Sequence, residues 1–384
     1  MRRRGFGVLF GLLLALSVAG TSLAASSRLY VSREHGSDAN PCSASMPCRT
    51  IGHAVDVAPA GATIHVDKGT YGEQVSITKS LTLEGENAVI DATGQTGGIQ
   101  PLAGMGIVGY GLLVFGPGAS GSVVDGFTVE HATGEGILVA GTSNVRIAHN
   151  TVKLNDAGVG TTDTFECMGQ PPIPGDCGEG LHFVSVTWSS ILHNVVENNV
   201  GGILITDEFG PSAHNVISYN IARNNREDCG ITLPSHNGNA VLDPSLGGVY
   251  DNLVSNNVSE GNGGAGVGMF APFPGTASYD NWVIDNTLRN NGEAGVGIHA
   301  HAPGQNVSGN VIRGNMISGN GIDPDSGSGH PTGIALFSAV VPVTVTVSNN
   351  HIANEYWGIF RNGSLTISGL STNHYAKSVT VHAN

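Results

Sequence analysis

Charge is scarce in this sequence. Asp, Glu, Lys and Arg make up 12% of the 384 residues, about half the usual share. Cations are scarcer still: 16 Lys and Arg face 30 Asp and Glu, for a formal charge of −14, and no basic run follows residue 4. Nucleic acid is therefore not an expected partner, because phosphate binding needs clustered cations. Beyond the N-terminus no apolar stretch approaches the ~20 residues of a membrane span, so no membrane partner is expected. With 40% hydrophobic residues the chain is not of the disordered type. Its 57 glycines exclude a helical bundle, since each costs about 1 kcal/mol in a helix interior. Glycine and asparagine are what recur, in a pattern that favours β-structure.

The N-terminus reads as an export signal. Arg2, Arg3 and Arg4 precede an apolar run over residues 5–20, and Ser22, Leu23 and Ala24 form a small-x-small cleavage site. The expected product of cleavage at residues 1–24 is secreted or periplasmic, with a charge of −14 − 3 = −17. In an oxidising compartment the five cysteines become legible. Cys42 and Cys48 bracket a short Pro-containing loop and are expected to pair. Cys167 and Cys177 bracket a segment with three prolines and are expected to pair as well. Cys229 then remains as a small buried residue, although a pairing that involves it stays open.

The chain repeats itself. Short alternating stretches joined by asparagine are followed by glycine and another alternating stretch, as in SSILHNVVENNVGGILIT and NWVIDNTLRNNGEAGVGIH. The linking residues are Asn150, Asn194, Asn220, Asn257, Asn286, Asn315 and Asn350, spaced by 44, 26, 37, 29, 29 and 35 residues. A rung of roughly 22–29 residues with loop insertions accounts for that series. Period-two alternation gives each strand one buried face. Asparagine is expected at the bend itself because it tolerates left-handed backbone angles, and its amide can bond the asparagine of the next rung. No rung can bury its apolar face alone, so the core exists only by stacking.

These repeats, over about residues 120–363, resemble those of the right-handed parallel β-helix superfamily of pectate lyases, polygalacturonases and NosD-like periplasmic proteins. Residues 30–85 resemble the N-terminal segment of many secreted β-helix proteins, whose small helix, here about 50–57, covers the open end of the core. The resemblance implies an all-β fold: a right-handed parallel β-helix solenoid with a short N-terminal capping helix. The expected division is a signal at 1–24, a cap segment at 25–62 and the β-helix at 63–384.

Active sites in this superfamily lie on the outer face of one sheet, the counterpart of the strand that follows the glycine here. Residues one and three after that glycine are expected inward: Ile137/Val139, Leu181/Phe183, Ile203/Ile205, Ile231/Leu233, Val267/Met269, Val296/Ile298 and Ile334/Leu336. Residues two and four face outward and include His182, Phe270, His299 and Phe337. The turns on either side carry Asp207, Glu208, His236 and His301 after the strand, and Asp176, Glu179, Arg226 and Asp228 before it. Acids, histidines and one arginine thus converge on a single strip. Asp207, Glu208, Asp228, His236 and His299 are the candidate catalytic groups. Glu179, His182, Arg226, Phe270 and Phe337 are the candidate substrate contacts. His299 and His301, two apart, could share a divalent cation with His236 or Glu208. Asp323 and Asp325 flank a proline but lack the oxygen ligands of a calcium loop.

Two functions follow. The first is polysaccharide or oligosaccharide degradation by a monomer, with acids beside histidines doing acid–base work. Hydrolysis would use Glu208 with Asp228 or Glu179. β-Elimination on a uronate would use His236 or His299 as base, with Arg226 or a cation on the carboxylate. The second is a non-catalytic β-helix that binds glycan or, like NosD, handles metal. The polygalacturonase-type Asn-Thr-Asp, Asp-Asp and Gly-His-Gly sets are missing. None of Lys68, Lys79, Lys153 or Lys377 falls on the strip to act as the basic residue of pectate and alginate lyases, so a neutral or weakly charged glycan suits the site better.

Overall fold

The structure is a computed structural model that describes residues 27–99, 108–156 and 178–384. The expected signal at 1–24, the Cys167–Cys177 pair and Asp176 lie outside the described residues. Almost all the strands pair in parallel, each with its counterpart one turn of the chain away. Three strand families build the walls. One runs through Arg146–Ala148, Ser190–Leu192, Val216–Ser218, Leu253–Ser255 and Trp282–Ile284. A second runs through Thr151–Lys153, Val195–Glu197, Ile221–Arg223, Val258–Glu260 and Thr287–Arg289. The third, which begins after glycine, runs through Glu135–Ala140, Glu179–Val184, Gly201–Thr206, Ile231–Pro234, Val267–Ala271, Val296–Ala300 and Thr332–Ser348. This is the right-handed parallel β-helix solenoid expected from the repeats.

The register is the one the alternation implies. Ile137, Leu181, Ile203, Ile231, Val267, Val296 and Ile334 pair in a single column across the rungs, and all are at most 1% exposed, as are their partners two residues on. The glycine before each column residue is there because the rungs approach closely. A Cβ on Gly136 would lie 2.7 Å from the Gly180 carbonyl oxygen, and one on Gly266 2.6 Å from that of Gly295.

Asparagine holds the rungs in line, but not by occupying the left-handed bend. That position belongs to the residue before it: His149, His193, Tyr219, Asn256, Asp285 and Asn349 have φ between 54° and 61°. The linking asparagine lies inside instead. Asn220 accepts at 2.9 Å and 3.1 Å from the backbone N–H and side-chain amide of Asn194. It donates to the Ile191 carbonyl and to Asn257 Oδ1. The chain continues from Asn150 to Asn373. A parallel ladder links Asn155, Asn199, Asn225, Asn262, Asn291 and Asn320, and a third links Asn215, Asn252, Asn281 and Asn310. Bend residues outside the core stack on one another, as in His149, His193 and Tyr219. Those histidines therefore belong to the scaffold.

Helix Ile51–Val57 covers the N-terminal end. Ile51, Ala54 and Val55 face the core, Thr50 caps its first turn, and Glu73 accepts from the N–H groups of Ile51 and Gly52. Strand Arg28–Val31 already pairs in parallel with Ala62–Val66, so the covering segment contributes a strand of its own. Cys42 and Cys48 form a disulfide beside it. Cys229 is a free, buried thiol, which burial and the neighbouring Asp228 push well above its ordinary value. Among the described residues no helix is long and apolar enough to cross a membrane.

The second ladder ends on a carboxyl group rather than an amide. Asn320 donates its backbone N–H and its amide to Glu355 Oε1, and the other oxygen has no partner. Burial pushes Glu355 up to about 7. A raised carboxyl contributes stability below its ordinary value near 4.5 that is lost as pH rises through about 7. Glu355→Gln should therefore raise the melting temperature at about pH 8 while changing little at about pH 5, as followed by circular dichroism. Asn257→Ala, inside the first ladder, strands the groups that Asn220 and Ile217 turn toward it. It should cost about 2–5 kcal/mol in chemical denaturation, and a loss below about 0.5 kcal/mol would show that the ladder is not cooperative.

Candidate functional site

The outer face of the third strand family is set by the core face. With Leu181, Ile203, Ile231 and Val267 turned inward, the column His182, Leu204, Thr232, Gly268, Gly297 and Ala335 turns outward. A second column runs Val184, Thr206 on one side of the face and Pro234, Phe270, His299, Phe337 further along it. Outward does not mean solvated. His182, Thr232 and His299 are 5%, 3% and 3% exposed, so the outward face is covered by its own neighbours.

A continuous chain of polar side chains crosses this face. His182 Nδ1 lies 3.0 Å from Glu135 Oε1, and its Nε2 lies 2.9 Å from the Thr206 hydroxyl. Thr206 donates to Glu208 Oε2 at 2.5 Å, and Glu208 Oε1 lies 2.8 Å from His236 Nδ1. Proton bookkeeping follows from these contacts. Thr206 spends its one hydrogen on Glu208, so its oxygen accepts from the His182 Nε2–H, and His182 links the Glu135 carboxyl to Glu208 through that hydroxyl. Burial alone would raise Glu208, but the hydrogen bond and charge of His236, the charge of His182 and the Thr206 hydroxyl outweigh it and hold the group down at about 2. His236 accordingly has its Nδ1–H turned toward an ionised carboxylate.

Asp207 has a different task. It accepts from the Ser235 hydroxyl at 2.8 Å, from the backbone N–H groups of His236 and Asn237, and from that of Gly248. It thereby pins the turn that carries His236. Burial and then the neighbouring Glu208 charge raise it to about 6. At the opposite end of the strands, Glu179 and Asp228 bracket Gly201, whose Cβ position is 2.9 Å from Glu179 Oε1 and 3.3 Å from Asp228 Cβ. The Thr232 hydroxyl reaches Asp228 at 3.4 Å. Arg226, at this same edge, pairs with Glu227 and donates to the Asp156 carbonyl.

A second cluster lies about 10 Å along the axis, two rungs beyond His236. His299 Nε2 is 2.9 Å from buried Asp323, and Phe270 stacks on its ring with centroids 4.9 Å apart. Phe337 meets His301 edge-on. Glu293, on the turn before this strand, is raised to about 7 by burial and then by the Asp323 charge. The spacing separates His299 and His301 from His236 and Glu208, which pair with each other, so the expected sharing of one cation among them does not occur. Among the described residues the nearest carboxylate to both histidines is Asp325, 3.8 Å from His299 and 3.7 Å from His301.

The sequence pointed to the strip but missed several of its members. Glu135 was legible: Glu135-Gly136-Ile137 repeats one rung before Glu179-Gly180-Leu181. Thr206 and Glu293 carried no such signal, since each becomes polar machinery only through a neighbour from another rung. Asp323 and Asp325, which lack the oxygen ligands of a calcium loop, face histidines instead.

Two family models match the chain. One is described as a right handed beta helix region and matches residues 244–334. The other is described as a protein of unknown function, DUF1565, and matches residues 34–269, more than half of the chain. The chain belongs to this DUF1565 family. No curated protein matches it. Among solved structures, the pectate lyase Pel9A is similar at a TM-score of 0.54 and 16% identity, over 90% of this chain and 78% of that one. An alginate lyase from Paenibacillus sp. str. FPU-7 is similar at a TM-score of 0.50 and 14% identity, over 93% and 99%. At such identities these likenesses speak for the fold.

The depressed Glu208 group makes a pH prediction. Its ionisation stabilises the folded state above the ordinary value near 4.5, and that contribution disappears as pH falls toward about 2. Chemical denaturation at about pH 5 and about pH 3 should show a smaller acid-induced loss in Glu208→Gln than in the wild type. Equal losses would mean that His236 and His182 do not hold the charge.

Proposed function

We propose that this protein is exported and degrades a polysaccharide by acid–base chemistry on the outer face of the third strand family. The observation that carries the reading is the buried Glu208–His236 pair within the chain from Glu135 to His236. A carboxylate held at low pKa against Nδ1 fixes the imidazole and makes Nε2 the nitrogen through which protons pass. Both oxygens of Glu208 are engaged, so it orients His236 rather than reacting itself.

A second group is needed for hydrolysis, and Asp228 supplies it from the other end of the strands. Phe270 and Phe337 offer partly exposed ring faces of the kind on which sugars pack. The scarcity of Lys and Arg on this face favours a neutral or weakly charged glycan. Export is supported by the N-terminal pattern and by the Cys42–Cys48 disulfide.

The test is a glycan panel read for new reducing ends and for unsaturated-uronate absorbance. Hydrolysis, seen as new reducing ends, is the expected outcome. Absorbance without hydrolysis would replace this reading with elimination. His236→Ala and Asp228→Asn should each lower turnover by at least ~100-fold with the fold retained, and wild-type activity in both would sink the assignment.

A further inference from the structure

The geometry points to a binding site for a zinc-type divalent transition-metal ion formed by His299, His301 and Asp325, with Asp323 as the group that orients His299. It stands whether or not the protein turns over a glycan, because it rests on a different set of side chains. His299 and His301 share one strand and its exit, two residues apart, so both rings emerge on the outer side. Asp325 comes from a separate segment that folds across the next rung. One of its oxygens, Oδ2, lies 3.8 Å from His299 Nδ1 and 3.7 Å from His301 Nε2, and the ligand atoms of the three residues all lie within 4.8 Å of one another.

Those separations are too long for hydrogen bonds. They are close to what a shared cation needs, since bonds of ~2.0–2.1 Å in a tetrahedral shell put ligand atoms about 3.4 Å apart. A contraction of a few tenths of an ångström brings both Asp325 separations to that value, and Asp325, 64% exposed, has room to supply it.

The second observation is the fixed orientation of His299. Its Nε2 faces Asp323 Oδ2 at 2.9 Å, and Asp323 is itself held by the Ser326 N–H and only 1% exposed. A carboxylate accepting from one ring nitrogen leaves the lone pair on the other, here Nδ1, which points toward Asp325. That carboxylate–histidine arrangement is how ligating imidazoles are aimed and made more basic. Phe270 stacked on the ring prevents it from turning away. Two imidazoles and one carboxylate select a borderline ion such as Zn²⁺ over Ca²⁺, which takes six to eight oxygens. With His301 and Asp325 partly exposed, the fourth position opens outward to water or a ligand, beside Phe337.

The experiment uses tag-free protein stripped with chelator and titrated calorimetrically with Zn²⁺, Co²⁺ and Ca²⁺. One saturable equivalent of Zn²⁺ is expected, with Co²⁺ giving the intense visible bands of a tetrahedral site. His301→Ala and Asp325→Ala, both at exposed positions that should leave the fold intact by circular dichroism, should weaken Zn²⁺ at least ~100-fold. Asp323→Asn should weaken it ~10–100-fold, and His236→Ala should leave it unchanged. Absence of a stoichiometric Zn²⁺ site, binding that survives both His301→Ala and Asp325→Ala, or saturable Ca²⁺ binding in place of Zn²⁺ would each overturn the assignment. Because the readout is metal stoichiometry, its failure is separate from a failure to cleave glycan.

Discussion

Every feature of this molecule depends on one constraint: a rung cannot bury its own apolar face. Parallel stacking at ~4.8 Å solves this by letting each rung serve as the floor of the next. It also requires that the backbone polar groups at every corner find partners inside, where no water reaches. The asparagine ladders meet that requirement. Each amide takes an N–H from the preceding rung and gives its own hydrogens to a carbonyl and to the next amide. The helix Ile51–Val57 is the same constraint expressed at an end, where a first rung has nothing beneath it.

Stacking also explains how so sparse a set of charged residues can be concentrated. Identical positions on successive rungs fall within ~5 Å of each other whatever the loop lengths between them. Glu135 and His182 are 47 residues apart and in hydrogen-bond contact. Functional groups therefore need no local motif. In a chain with few Lys and Arg, His182 ties Glu135 from one rung to Thr206 and Glu208 from another, joining the carboxyls of the strip into one hydrogen-bonded chain.

What could be read from sequence was whatever repeats. Period-two alternation after glycine placed Ile203 and Leu233 inward and His182 and His299 outward, and the strand register agrees. The ladder was legible because Asn recurs, but its position in the bend was not. The left-handed angle and the amide ladder both favour asparagine, and sequence alone cannot separate two adjacent residues with one preference. The structure gives the angle to His193 or Asp285 and the ladder to the residue after each. Burial of the outer face was equally hidden, since alternation reports only which way a side chain points, not what lies over it.

The residues that break the repeat are where sequence reading gave out. Asp323 and Asp325 sit in an insertion with no counterpart on other rungs, so no register could align them with His299. Their meaning comes from convergence: one carboxylate fixes the ring, and the other faces its opposite nitrogen. A solenoid makes such convergence cheap in conformational terms, because the strand already fixes His299 and His301 and only one loop must be ordered against them. Regular rungs provide rigid first positions, and irregular loops provide the last ligand. The same division appears at His236, where the strand delivers the turn and Asp207 pins it through Gly248 of a distant loop. Chemistry on this scaffold is accordingly expected where a repeat position and an insertion meet, rather than along the uninterrupted stretches of the sheet.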